Sequence, residues 1–229
     1  MVGGFTSDKS NFEELIYCFE NRDKSRPFFA FNVTIQNHSG YWDQTPVTVE
    51  LEKIGNTETH GFGEVKEFLS LMKLTDDALR MLIEYFEKVE EPVIVCMFGD
   101  HQPYLEVSDI FYDRIFEGTG LTEEEQTIRK HITPYLIWAN YDIGDKEYGD
   151  VSASYLAPIL CETAGLKMPV YYQFLLNMRE EIPYFNRYNY EQYSNMDFMR
   201  QYRILQYNHL MERDYRRDVF SVEEAFSGQ

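Results

Sequence analysis

Residues 92 to 104 read Pro-Val-Ile-Val-Cys-Met-Phe-Gly-Asp-His-Gln-Pro-Tyr, and this stretch constrains the fold more than any other. The apolar run Val93 to Phe98 is rich in β-branched residues and lies between Pro92 and Gly99. That pattern predicts a strand buried on both faces. In open α/β sheets, ligands bind beyond the carboxyl ends of the strands. Asp100 and His101 stand just past this end and bring oxygen and nitrogen donors suited to a divalent metal. Neighbours along a strand point to opposite faces, so the two share one ion only if the chain leaves strand geometry there. Gly99 and Pro103 make such a turn plausible. The competing reading is an ordinary loop in which Asp accepts from nearby backbone amides.

A chain of 229 residues accommodates one large α/β domain. Its formal charge of −18 argues against nucleic acid or an anionic membrane surface as partner, since both require basic patches. An anionic substrate stays open, because a bound dication inverts the local field. No apolar run reaches bilayer length, and the first residues show neither a basic flank nor an apolar signal core, so a soluble chain is expected. Cys18, Cys96 and Cys161 are far apart and read as small buried hydrophobes, forming neither a disulfide framework nor a zinc knot.

Ser7 or Asp8 is expected to cap a helix through Glu20, with Phe12, Leu15, Ile16 and Phe19 on one face. Phe28 to Ile35 reads as a second buried strand, ending in Gln36-Asn37-His38-Ser39-Gly40-Tyr41. Two strands that each end in a histidine-bearing turn are the main internal indication of a site. Residues 43 to 63 read as a surface loop with a short strand at Val47 to Leu51, and His60 there as a solvated histidine. Glu64 to Lys88 carries helical apolar spacing, with Thr75 as an internal cap between two helices. Further expectations are a short helix over Val107 to Phe116, a solvated helix start at Glu123 to Glu125, and a third strand over Pro134 to Tyr141. His131 precedes that strand and is a weak site candidate. Ser152 is expected to cap a helix stopped by Gly165, and another helix is expected over Phe174 to Glu181. The tyrosines of the tail suit core and edge packing more than sugar stacking.

Several of these segments, taken in order, resemble the lipoteichoic acid synthase and phosphoglycerol transferase family, a sulfatase-like branch of the alkaline phosphatase superfamily. They are Arg26 to Tyr41, Leu74 to Leu79, Val93 to His101, Thr133 to Asn140 and Val151 to Leu156. The resemblance implies an α/β fold with a mainly parallel sheet flanked by helices. Residues 1–165 would form the C-terminal part of a sulfatase-like catalytic domain, and residues 166–229 a Tyr-rich extension packing on it.

The resemblance also implies roles. Asp100 and His101 would be two ligands of one divalent ion, Mn2+ or Mg2+, bound weakly or not at all by this portion alone. His38 would contact the phosphate or the leaving oxygen. In such enzymes a threonine on the same metal attacks a phosphoglycerol headgroup and passes glycerolphosphate to an acceptor hydroxyl. No threonine here matches the nucleophile motif, so catalysis is expected to need residues upstream of this chain. The sulfatase signature, Cys or Ser followed by x-Pro-x-Arg, is absent too. The expected partners are a glycerophospholipid headgroup or an envelope polymer, with membrane association only through upstream segments of a parent protein on the outer face of a bacterial membrane. Two alternatives remain: a non-catalytic module that binds an envelope polymer or a partner, and a phosphodiesterase or phosphomonoesterase of the same superfamily.

Overall fold

The computed structural model describes residues 2, 4–41, 47–51, 53–54, 57–58, 62–212 and 217–222. His60 lies outside them. The chain divides into two compact units, Met1–Val93 with Gly99–Thr133, and Ile94–Phe98 with Pro134–Gln229.

The first unit is built on two helices. Helix α1, Asp8–Glu20, starts where the Ser7 side chain accepts the Ser10 amide, and it buries Phe12 and Phe19. A strand pair, β1 (Lys53–Ile54) with β2 (Thr57–Glu58), is antiparallel. Helix α2, Gly63–Phe86, buries Val65 and then Leu71, Thr75, Ala78, Leu82 and Phe86 at three- and four-residue spacing. The Phe19 ring meets the Phe86 ring edge-on at 5.1 Å, which ties α1 to α2. Tyr41, Phe62, Val65, Leu71 and Leu105 form a further core cluster. Helix α3, Ser108–Phe116, and helix α4, Glu123–Arg129, follow, α4 opening with a capping box between Thr122 and Glu125.

Three expectations for this unit change. Thr75 does not divide α2, which runs unbroken. A threonine and two aspartates cost only a few tenths of a kcal/mol each in a helix interior, about 0.7 at most, and the Thr75 hydroxyl has buried partners that hold it there. Val47 to Leu51 joins no ladder among the described residues; instead the Thr48 and Val49 amides donate to Ser70 Oγ at 3.0 and 3.1 Å. The run Phe28 to Ile35, expected as a buried strand, is exposed and likewise has no ladder partner among the described residues, although no turn or bend interrupts it.

In the second unit, β3 (Ile94–Phe98) pairs with β4 (Tyr135–Ala139) in antiparallel register, from Ile94 opposite Ala139 to Phe98 opposite Tyr135. Both strands lie where the sequence predicts them. Their pairing differs from the expected parallel sheet, and β3 is half-buried instead of covered on both faces. A two-stranded ladder leaves outer edges and part of each face open; full burial needs more strands and a second layer. Helix α5 (Leu156–Thr163) follows a 3-10 turn over Ala153–Tyr155 and stops before Gly165, whose φ of +65° suits a glycine. Ser152 does not cap it; its hydroxyl accepts the Phe185 amide at 2.7 Å and donates to the Phe185 carbonyl at 3.0 Å.

Helices α6 (Val170–Glu181), α7 (Asp197–Met211) and α8 (Arg217–Phe220) complete the unit. Its core joins Tyr155, Ile159, Leu175, Met178, Ile182 and Met199, so tail residues and residues 155–159 share one interior. The Tyr155 hydroxyl donates to the Ile182 carbonyl at 2.8 Å. Burial pushes the phenols of Tyr155 and Tyr171 up, the latter to about 12. These tyrosines serve as core. No helix among the described residues is long and apolar enough to cross a membrane. All three cysteines are free; Cys18 is exposed, while Cys96 and Cys161 are half-buried.

Candidate functional site

The His38 turn is anchored from below by a buried polar network. Thr75 Oγ1 donates to Asp8 Oδ2 at 2.6 Å and accepts from Gln36 Nε2 at 3.2 Å and Asn37 Nδ2 at 2.8 Å. Gln36 Nε2 also donates to the Leu71 carbonyl, and its Oε1 accepts the Asp8 amide at 3.1 Å. Gln36 is 2% exposed and Asp8 1%. Burial raises the Asp8 carboxyl above its usual value, against the lowering effect of its hydrogen bonds to Thr75, Gln36 and Thr34. Above the network, the Tyr41 hydroxyl donates to the Asn37 carbonyl at 2.9 Å, and burial beside Glu64 and Glu67 pushes that phenol up to about 12. Gly40 adopts a φ of +116°, a conformation that favours glycine. His38 itself is exposed. Its Nδ1 lies 3.2 Å from the Ser39 carbonyl. A carbonyl only accepts, so Nδ1 carries the proton and Nε2 is left to face a ligand.

The second turn follows Gly99. Thr133 Oγ1 donates to the Gly99 carbonyl at 2.7 Å, and Gln102 Nε2 donates to the Ile132 carbonyl. A Cβ at residue 99 would stand 3.0 Å from Thr133 Cβ, tighter than ordinary van der Waals contact, so a larger residue there would have to push Thr133 back by a few tenths of an ångström. Held in this way, the chain leaves strand geometry, and the side chains of Asp100 and His101 converge, with Oδ2 3.4 Å from Nε2. Both are well exposed. Asp100 Oδ1 accepts the His101 amide at 2.8 Å, which realises the ordinary loop role for one oxygen and leaves the other facing the imidazole. His101 Nδ1 lies 2.9 Å from the Gln102 carbonyl and so carries its proton. In the neutral ring, Nε2 and Oδ2 are therefore two acceptors turned toward each other.

Exposed as they are, the two acceptors can take hydrogen bonds from water, and they are also close enough to share one cation. The donors suit a hard divalent ion, and their 3.4 Å separation is less than twice a metal–ligand bond of about 2.1 Å. The pair is only two ligands. Among the described residues no cluster of three or more His, Cys, Asp or Glu side chains is poised for a metal, so His38 does not complete it.

His131 has its own local role, with Nδ1 2.7 Å from the Thr127 carbonyl at the end of α4. Asp8, Gln36, Asn37, Thr133 and Gln102 were not singled out as support for the two turns. Thr75 carried a signal that points to one of them: it falls on the buried α2 stripe of Leu71, Ala78 and Leu82, where a hydroxyl needs a partner.

Comparisons with known proteins place these turns in a family. The Sulfatase family model matches residues 1–166. A Rhizobium meliloti (strain 1021) protein called a putative cyclic beta-1,2-glucan modification protein is 26% identical over 240 residues, covering 97% of this chain and 37% of that protein. The structure of Streptococcus pyogenes phosphoglycerol transferase GacH in complex with sn-glycerol-1-phosphate superposes with a TM-score of 0.65 at 21% identity. That match covers 90% of this chain and 50% of GacH, so the chain spans half the length of the solved relative and less of the curated one.

Proposed function

Because this chain belongs to the sulfatase family and has the fold of a phosphoglycerol transferase, we propose that it is the C-terminal portion of a metal-dependent enzyme that moves glycerolphosphate to a hydroxyl of an envelope polymer. The observation that carries the reading is the facing pair Asp100 Oδ2 and His101 Nε2, two acceptors fixed in one direction by backbone contacts on their other atoms. Asp100 and His101 would hold Mn2+ or Mg2+. Such an ion lowers the pKa of a nucleophilic hydroxyl and stabilises charge on phosphoryl oxygens. The nucleophile, a threonine in this reading, lies outside this chain.

This chain's own part is positioning. The Gln102 carbonyl fixes the His101 tautomer, a constraint that orients a metal-binding imidazole. His38, held by the network under Gln36 and Asn37, presents Nε2 to a phosphoryl oxygen or to the departing alkoxide and donates a proton there when charged. The glycerolphosphate class is supported by the ligand in GacH, and an envelope glucan acceptor by the name of the Rhizobium relative. The parent enzyme would work at the outer face of a bacterial membrane.

The test is glycerolphosphate transfer from a glycerophospholipid to an oligosaccharide, in a preparation that carries the rest of the fold. His101→Ala should remove bound metal and nearly all turnover. His38→Ala should keep metal content and lower turnover about a hundredfold or more. Loss of metal on His38→Ala would overturn this division of roles. Phosphate release from a monoester, without transfer, would instead favour a phosphatase.

A further inference from the structure

Residues 143–150 return beside the first half of β4, and a cleft of about 490 Å³ lies between them. That volume falls within the range of small-molecule sites, about 300–1,000 Å³. The cleft belongs wholly to the second unit. Two tyrosines frame it. Tyr135 opens β4, and its hydroxyl donates to the Gly149 carbonyl at 3.1 Å, which draws the loop onto the strand. Tyr148 shares a hydrogen bond of 2.9 Å with Thr163 Oγ1 at the end of α5. One face of its ring carries the Arg179 guanidinium of α6, 5.0 Å from the ring centre. Both rings are half-buried and tethered by their hydroxyls.

Lys146, Glu147 and Asp150 complete the polar part of the wall. All three are exposed, and among the described residues the side chains of none of them hydrogen-bond or pair with an opposite charge. Burial raises the Tyr135 phenol; the Arg179 charge opposes that rise and the Asp150 charge adds to it, so both charges lie near the ring.

This mixture of charges selects among ligands. An anion would meet Glu147 and Asp150, and a cation would meet Lys146 and the Arg179 charge. A purely apolar ligand would strip water from the ammonium and the carboxylates and return no hydrogen bond. A neutral polyhydroxyl compound avoids all three costs. Each hydroxyl both donates and accepts. It can donate to Glu147 or Asp150 and accept from Lys146, in bonds strengthened by the charge. A sugar ring adds a flat C–H face that covers a tyrosine ring, whose body is apolar and whose tip is polar. Glycerol has the hydroxyls without that face.

We propose that this cleft is a binding subsite for the sugar units of a neutral glucan, with Tyr135 and Tyr148 as ring platforms and Lys146, Glu147 and Asp150 as hydroxyl partners. The proposal rests on the envelope glucan acceptor of the functional reading above, and it gives the second unit the task of holding that polymer.

The experiment is a titration of the isotope-labelled chain with a short neutral β-1,2-linked gluco-oligosaccharide, followed by NMR. Saturable shifts should centre on the amides of residues 143–150 and the rings of Tyr135 and Tyr148, and leave α1 unmoved. Glu147→Ala with Asp150→Ala should weaken binding about tenfold or more, with the circular dichroism of the chain unchanged because both side chains are exposed. Tyr148→Ala should abolish binding. Tyr148→Phe keeps the ring, loses the bond to Thr163 and should retain most of the affinity. Glycerol and inorganic phosphate at matched concentration should leave these signals in place.

Absence of saturable shifts overturns the proposal, as does an equal response to glycerol or phosphate. Undiminished binding in the variant without the two carboxylates overturns it as well. Glucan bound at the cleft without glycerolphosphate transfer leaves the subsite standing and defeats only the functional reading. Transfer to the glucan with KM unchanged in that double variant, in a preparation that carries the rest of the fold, does the reverse.

Discussion

Thr75 uses one hydroxyl to bond three side chains, donating to buried Asp8 and accepting from buried Gln36 and half-buried Asn37. Removing it takes one partner from a buried carboxylate and from two amides. Thr75→Val should therefore cost about 2–4 kcal/mol of stability and Thr75→Ser less than about 1, measured by urea unfolding. Equal losses would mean that the methyl group, and not the hydroxyl, holds the turn. Asp8 adds a pH dependence with a definite sign. Its carboxyl is raised in the folded chain, so the folded state binds the proton more tightly. That contribution is complete below the unfolded carboxylate value of about 3.9 and is lost as pH rises through the higher folded value. Asp8→Asn should consequently gain on the parent chain between acid and neutral pH. A difference that stays flat, or moves the other way, would show that the carboxylate is not under strain.

The Gly99 turn can be tested as an element, because it is pinned by a close approach as well as by hydrogen bonds. Gly99→Ala drives a Cβ to 3.0 Å from Thr133 Cβ and should cost about 1–3 kcal/mol. Combined with Thr133→Ala, the loss should fall short of the sum of the single changes. Strict additivity would place the strain elsewhere. The turn's direction could not be read from the sequence. Gly-Asp-His fits an exposed loop as well as a metal turn, and what bends it comes from Ile132 and Thr133, more than thirty residues further on.

Elements defined by local pattern were legible: α1 from Ser7 and its apolar spacing, the start of α4 from the acidic run Glu123 to Glu125, β3 and β4 from their apolar runs. Pairing was not, because side-chain pattern tells which face is buried and says nothing of which strand lies beside it. The loss of the expected helix break at Thr75 has the same origin, since its buried partners Asp8 and Gln36 are distant in sequence.

At the scale of the molecule, charge and site pull in different directions. With 39 acidic residues against 21 basic ones, the surface attracts divalent ions diffusely, and the consecutive carboxylates Glu123 to Glu125 concentrate that charge locally. A real site must stand out above that background, even where, as proposed for Asp100 and His101, only two ligands would hold the ion and hold it weakly. Manganese separates the two cases, because a bound Mn2+ broadens the NMR signals of nearby nuclei. The most direct measurement is a Mn2+ titration of the labelled chain followed at every resolved amide and imidazole. The account predicts that Asp100 and His101 broaden at lower Mn2+ than Glu123 to Glu125, and that His101→Ala removes this precedence. Broadening that begins in the acidic run, or spreads evenly with Asp100 and His101 unremarked, would contradict it.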